Sequence, residues 1–251
     1  ITGIVDASIT PTNKTLTYGY DDLNRLMSAA SSGLSAGDFS ESYTYDEVGN
    51  LTYKSDVGTM LYDGTGSQSG IYPGANPHAV TSVAGTAHTY DDNGNLLSDG
   101  THTYNWDQRN RLSSSSSKTF YYGGGGSRYK TVDSSSGTNE YTYYVSPLYE
   151  LRDGTTTDDG NPTYYIFAGG QRIAALEDTD LDGNLENSER SYYHQDHLGG
   201  TALVTDSTGI VSQLYDYYPY GSELLDSQPT GATPPSEHSF TDKELDSDLG
   251  L

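Results

Sequence analysis

The densest chemistry in this sequence lies between residues 178 and 189. The stretch reads Asp178-Thr179-Asp180-Leu181-Asp182-Gly183-Asn184-Leu185-Glu186-Asn187-Ser188-Glu189. It fits the calcium-loop pattern D-x-[DN]-x-[DN]-G-x5-E at every fixed position. Asp178, Asp180 and Asp182 would supply carboxylate oxygens, and Gly183 the sharp turn. Asn184 would offer its main-chain carbonyl. Glu186 sits where a water often mediates, and Glu189 where a carboxylate binds through both oxygens. Hard oxygen donors without His or Cys select calcium over transition metals. The expected role is structural rather than sensing. The competing reading is a solvated acidic loop between two strands. That loop would hold five carboxylates, with Glu177 just before them, and no counter-ion.

Other constellations are weaker. His194-x-Asp196-His197 has the residue types for a metal or a general base, but an Asp between two His more simply orients a ring and takes backbone amides. Gly123 to Gly126 lacks the Lys-Ser/Thr ending of a phosphate loop, which leaves a connector. Ser113 to Ser117 reads as a low-complexity turn or exposed loop. Asp246 and Asp248 read as turn residues. No Ser stands in G-x-S-x-G. With no Cys in the chain, disulfides, thiolate metal sites and Cys nucleophiles are excluded. No catalytic residue is assigned, and the expectation is a protein that is not an enzyme.

The elements that position these residues follow from composition. Leu, Ile, Val and Phe make up 42 of 251 residues, about 17%. Together with a net charge of −23, that deficit points toward disorder. The 24 tyrosines reverse the inference, because each buries a ring, keeps a polar tip and favours strands. They recur in aromatic-x-aromatic-Asp units: Tyr18-Gly19-Tyr20-Asp21, Tyr43-Thr44-Tyr45-Asp46, His88-Thr89-Tyr90-Asp91 and Tyr104-Asn105-Trp106-Asp107. Tyr215-Asp216-Tyr217 is a degenerate copy. Period-two alternation puts Tyr43 and Tyr45 on one face of a strand. Asp46 then opens a turn by accepting amides ahead of it. Gly49 or Gly94 supplies a positive φ, and Leu51 or Leu96 starts the return strand. Each unit is a β-hairpin with a loop of about four residues, and such hairpins need a larger sheet to be stable.

These units resemble the YD repeats of the rearrangement-hotspot (RHS) family, found also in ABC-toxin cocoon proteins and teneurins. A second stretch is more specific. It runs from Tyr192-Tyr193-His194-Gln195-Asp196-His197-Leu198-Gly199-Gly200-Thr201 through Tyr215-Asp216-Tyr217-Tyr218-Pro219-Tyr220-Gly221. It resembles the start of the RHS-associated core domain, and Phe240 to Asp246 with Gly250-Leu251 resembles that domain's next motif. The resemblance implies an all-β fold of YD hairpins in a continuous, curled antiparallel sheet, part of a shell or barrel-like wall around a polypeptide. It also places His194, Asp196 and His197 in framework. No residue matches the family's autoprotease site.

The expectation is one YD-repeat segment over 1–251. Hairpin units occupy 1–112, irregular hairpins with the acidic loop 113–190, and the start of the core domain 191–251. Its first residues, 1–16, alternate weakly and would offer a strand for pairing at an open edge. The expected function is structural, as the wall of an exported shell or scaffold with one calcium-stabilised loop. A fibre subunit joined through sheet edges and a glycan-binding adhesive module are the alternatives. Expected partners are polypeptide cargo or neighbouring copies of the chain, with glycan as a further partner. The negative charge argues against nucleic acid, and no apolar run is long enough to insert in a membrane. The expected location is extracellular or at a bacterial cell surface.

Overall fold

The structure is a computed structural model, and it describes residues 2–6, 14–34, 37–62, 76–154, 160–224 and Glu244. The expected pairing of residues 1–16 falls partly outside them. Most of the Gly- and Pro-rich stretches 64–77 and 227–236, the motif 240–246 apart from Glu244, and Asp246, Asp248 and 250–251 fall outside as well. The chain divides into two compact units, Ile1–Ser116 and Ser117–Leu251.

In the first unit β1 (Gly3–Asp6), β2 (Lys14–Tyr20), β3 (Leu26–Ser32), β4 (Ser40–Tyr45), β5 (Leu51–Lys54), β6 (Gly58–Leu61), β7 (Ser82–Val83) and β8 (Thr86–Ala87) pair in consecutive order. Strand β9 (Thr89–Tyr90) pairs with β10 (Leu96–Ser98), and β11 (Tyr104–Trp106) with β12 (Leu112–Ser115). The second unit runs β13 (Lys118–Tyr122), β14 (Arg128–Asp133), β15 (Glu140–Ser146), β16 (Tyr149–Gly154), β17 (Asn161–Ala168), β18 (Gln171–Glu177), β19 (Arg190–Gln195), β20 (Thr201–Asp206) and β21 (Val211–Leu214), again in consecutive order. Strand β22 (Asp216–Tyr217) pairs with β23 (Glu223–Leu224). All pairings are antiparallel, and the only helical element among the described residues is a 3-10 turn at Asn187–Glu189. The all-β antiparallel expectation is met.

Tyrosine builds the core. In β17, Tyr165 is buried while Tyr164 and Ile166 face out, as period two requires. Tyr165, Ala175, Tyr193, Val204 and Tyr215 form one buried cluster, with Phe167 and Tyr217 packed against it. The guanidinium of Arg172 lies 4.3 Å from the centre of the Tyr165 ring and adds a cation–π contact inside that cluster. Val204 has no exposed surface at all, and burying such a side chain contributes about 2 kcal/mol.

The hairpin turn is the recurrent device. In the unit at Asp46, the Asp46 amide donates to the Asn50 carbonyl and the Gly49 amide to the Asp46 carbonyl. The same two backbone bonds recur from Asp21, Asp91 and Asp107 in the first unit. In the second unit they recur from Gly123, Asp196, Asp206 and Tyr218. Three residues on, each turn has a positive φ, at Asn24, Gly49, Gly94 and Asn110, then Gly126, Gly199, Gly209 and Gly221. A tight turn with one left-handed residue and a bulge has this form, and bulges adjoin it at Thr44/Tyr45, Tyr121/Tyr122 and His194/Gln195.

The carboxylate of Asp46 reinforces its turn. Oδ1 accepts the amides of Val48 (3.0 Å) and Asn50 (2.8 Å), and Oδ2 accepts Asn50 Nδ2 (2.8 Å). At Asp107 the fourth residue is Arg111, whose Nε donates to Oδ2 at 2.7 Å. The Arg111 side chain holds the Asp107 carboxyl down to about 2.

Beyond 112 the same turn recurs without an Asp, since Gly123 and Tyr218 make the same two backbone bonds. The turn depends on the positive-φ residue, and the Asp only adds to it. Ser113 to Ser115 are not loop but part of β12, where Ser115 pairs with Tyr104 and is fully buried.

Candidate functional site

The acidic stretch connects β18 to β19, two adjacent strands closed by the pair Leu176–Arg190. The flanks are strands, as the sequence reading expects, and not helices. Asp178 is fixed first, since its amide donates to the Pro162 carbonyl at 3.0 Å. Its side chain is turned into the loop, where Oδ2 accepts the Gly183 amide at 3.1 Å. Gly183 takes φ +82°, the left-handed conformation that the sharp turn needs. Asp180 Oδ1 accepts the Asp182 amide at 3.2 Å, and Asp182 Oδ1 accepts the Asn184 amide at 2.7 Å. Glu189 reaches back across the loop. Its Oε1 accepts the Thr179 amide at 2.7 Å and its Oε2 the Glu186 amide at 3.0 Å.

These bonds gather the expected ligands. One carboxylate oxygen each from Asp178, Asp180 and Asp182 lies within 4.8 Å of the others, and Asp180, Glu186 and Glu189 form a second such group. Glu186 shares a hydrogen bond with Glu189, which raises its pKa, with the Asp182 charge adding to the rise. Asp178 is only 5% exposed, and its Oδ1 is buried with no hydrogen-bond partner.

The His194/Asp196/His197 set is placed differently. Asp196 Oδ1 is engaged by the amides of Leu198 (2.8 Å) and Gly200 (2.9 Å), as in every other Asp turn. His194 is exposed on β19, with Nε2 3.2 Å from Thr205 Oγ1.

A third cluster was not visible in the sequence. On β16, Glu150 and Arg152 are both under 10% exposed. Arg152 Nη1 donates to Glu150 Oε2 at 2.9 Å and Nη2 to Glu244 Oε1 at 3.2 Å. Tyr165 donates to Glu150 at 3.2 Å, Tyr144 to Glu244 at 2.9 Å, and Arg128 also pairs with Glu244. Burial pushes the Glu150 pKa up despite the neighbouring Arg152. Desolvation also raises Tyr144 and Tyr165. The one available signal was the Glu150-x-Arg152 spacing, which puts two charges on the same face of a strand. Glu244, from the motif at 240–246, was separated from them by the whole of β17 to β23.

Comparisons with known proteins bear on what such a sheet belongs to. No family model matches the chain. The chain is similar to the tRNA3(Ser)-specific nuclease WapA of Bacillus spizizenii and to the tRNA nuclease WapA of Bacillus subtilis. Each is 24% identical over 226 residues, covering 83% of this chain and 9% of the relative. The chain therefore spans 9% of the length of the curated relatives it matches. Among solved structures it is similar to TcdB2-TccC3 without its hypervariable C-terminal region, with a TM-score of 0.55 and 19% identity over 97% of this chain and 15% of that one. A structure of the Photorhabdus luminescens Tc holotoxin pore gives a TM-score of 0.52 and 18% identity over 98% of this chain and 15% of that one. The chain thus shares the all-β fold of the matched part of these structures.

The relatives overturn two expectations. A purely structural wall, with fibre subunit or glycan module as alternatives, does not fit relatives named as tRNA nucleases. Neither does the expectation of no enzymatic activity. The physical reason is that hairpin and turn residues report a fold, and a fold carries no statement of activity. The exclusion of nucleic acid finds no support either, since a charge of −23 describes a stretch covering 9% of such a relative.

Proposed function

We propose that this chain is part of an exported bacterial nuclease toxin that cleaves tRNA. The match to tRNA nucleases over 83% of the chain carries this reading. The likeness of its fold to the Tc toxin structures supports it. Within such a protein the sheet meets other polypeptide. On β17 and β19, Tyr164 (42% exposed), Ile166 (46%) and Tyr192 (39%) present apolar surface on one side, with Ile166 and Tyr192 both aligned on Ala174. The opposite side is already filled by the tyrosine cluster. An apolar sheet face of this kind is suited to packing against protein.

The test uses the whole protein that contains this chain. It is incubated with total tRNA and, in parallel, with duplex DNA, and the products are resolved by denaturing electrophoresis. Discrete tRNA fragments with intact duplex DNA are expected. Intact tRNA, with and without added divalent cations, overturns the reading. A second arm replaces Ile166 and Tyr192 by Glu. Faster limited proteolysis of the whole protein is expected, and an unchanged digestion pattern would remove the packing role from this face.

A further inference from the structure

The loop from Asp178 to Glu189 holds a buried polar atom that the fold itself leaves unanswered. Asp178 is 5% exposed, and its Oδ1 has no hydrogen-bond partner. Burying a carboxylate oxygen without a partner is unfavourable unless a donor or a cation meets it. The other oxygen cannot relieve it, because Oδ2 is held by the Gly183 amide. That bond turns the side chain inward, toward the carboxylates of Asp180 and Asp182. None of the ion pairs among the described residues draws on these carboxylates. Arg190, the nearest cation in sequence, spends Nη2 on the Leu185 carbonyl at 3.1 Å.

We propose that this loop binds one calcium ion. Asp178, Asp180, Asp182 and Glu189 act as carboxylate ligands, Asn184 acts through its carbonyl, and Glu186 through a bridging water. The cation answers the orphaned Asp178 oxygen and cancels the repulsion in two overlapping triads that share Asp180. The donor set is all oxygen, which disfavours zinc, copper and nickel. A loop with more than six candidate oxygens suits calcium better than magnesium, which demands a tight octahedron and retains its waters. Because the loop joins β18 to β19, the ion would fasten two strands that carry Ala175 and Tyr193 of the core. The proposal is independent of the tRNA reading, and its test has no nuclease readout.

The full chain is stripped with EDTA and titrated calorimetrically with calcium chloride and, separately, with magnesium chloride. Thermal unfolding is followed in both. Two variants are compared, Glu189→Gln and the double change Asp180→Asn with Asp182→Asn. All three side chains are at least partly exposed, so the fold is expected to persist, with circular dichroism as the check. The expected result is one calcium per chain with a Kd between about 10⁻⁵ and 10⁻³ M. Each variant should weaken binding about tenfold or more, and calcium should raise the melting temperature of the parent chain more than that of either variant. No heat and no melting shift up to about 10 mM calcium would sink the proposal. So would an equal response in parent and variants, which would mean screening of the net charge alone, or a preference for magnesium.

Discussion

Replacing Arg152 by Met should expose what the buried charge cluster costs. Arg152 is 9% exposed and donates to Glu150 at 2.9 Å and to Glu244 at 3.2 Å. At an effective dielectric of about 20, opposite charges about 4 Å apart attract by about 4 kcal/mol. Desolvation offsets most of that, so the intact pair contributes little net stability. The substitution removes the attraction but leaves Glu150 buried, with the Glu244 charge raising its pKa further. The carboxylate escapes by binding a proton. Its reference pKa is 4.5, and each pH unit above that costs about 1.4 kcal/mol. Since burial already raises the Glu150 pKa in the parent, the expected loss is at most about 3.5 kcal/mol at about pH 7 and about 0.7 kcal/mol at about pH 5. Urea unfolding at the two pH values measures it. Adding Glu150→Met to Arg152→Met should restore most of the stability, because the uncompensated charge is gone. A loss that does not change with pH, or a double variant as unstable as the single one, would refute the reasoning.

Three further outcomes follow from the turns and the core. Gly49→Ala should destabilise the fold by about 1 kcal/mol, since φ is +95° and no atom lies within 4 Å of the added methyl. Gly124→Ala, with an ordinary φ and equally open space, should be neutral within about 0.5 kcal/mol by the same denaturation assay. Val204→Ala, at a site with no exposed surface, should cost about 2–3 kcal/mol and lower the urea midpoint without changing the slope. Acid unfolding should be driven by the turn aspartates. Asp21, Asp46, Asp91, Asp107 and Asp206 are all lowered from 3.8 by amide and side-chain hydrogen bonds. A lowered carboxyl stabilises the fold above its unfolded pKa and loses that contribution as pH falls through the folded value. Stability should thus decline from about pH 4 downward, and an Asp107→Asn variant should show a shallower decline over that range.

Much of the fold was legible because the turn is local. The positive-φ residue three places after the turn aspartate and the return-strand leucines at 26, 51, 96 and 112 are set by neighbours in sequence. The aspartate pattern does not mark the turns at Gly123 and Tyr218, where the backbone makes the same bonds without a carboxylate, although the glycine run at 123–126 marks the first as a connector. The acidic loop was legible for the same reason, since its spacing alone brings Asp178, Asp180 and Asp182 together. The Glu150–Arg152–Glu244 cluster was not, because its members are joined by packing between distant strands. The activity of the relatives was not legible either, as no residue pattern in these hairpins encodes it.

The nearest-neighbour strand order has a kinetic consequence. Within each unit, every paired strand bonds to the strand just before or after it in the chain. Closing each hairpin takes only a short loop, so little chain entropy must be surrendered before the next contact rewards it. A strand can therefore add to the growing edge as soon as it is available, with no need to wait for the far end of the chain. Such a sheet is suited to assembling in order while the polypeptide is still emerging from a ribosome or a narrow channel. Pulled from one end, it would be expected to unravel one hairpin at a time.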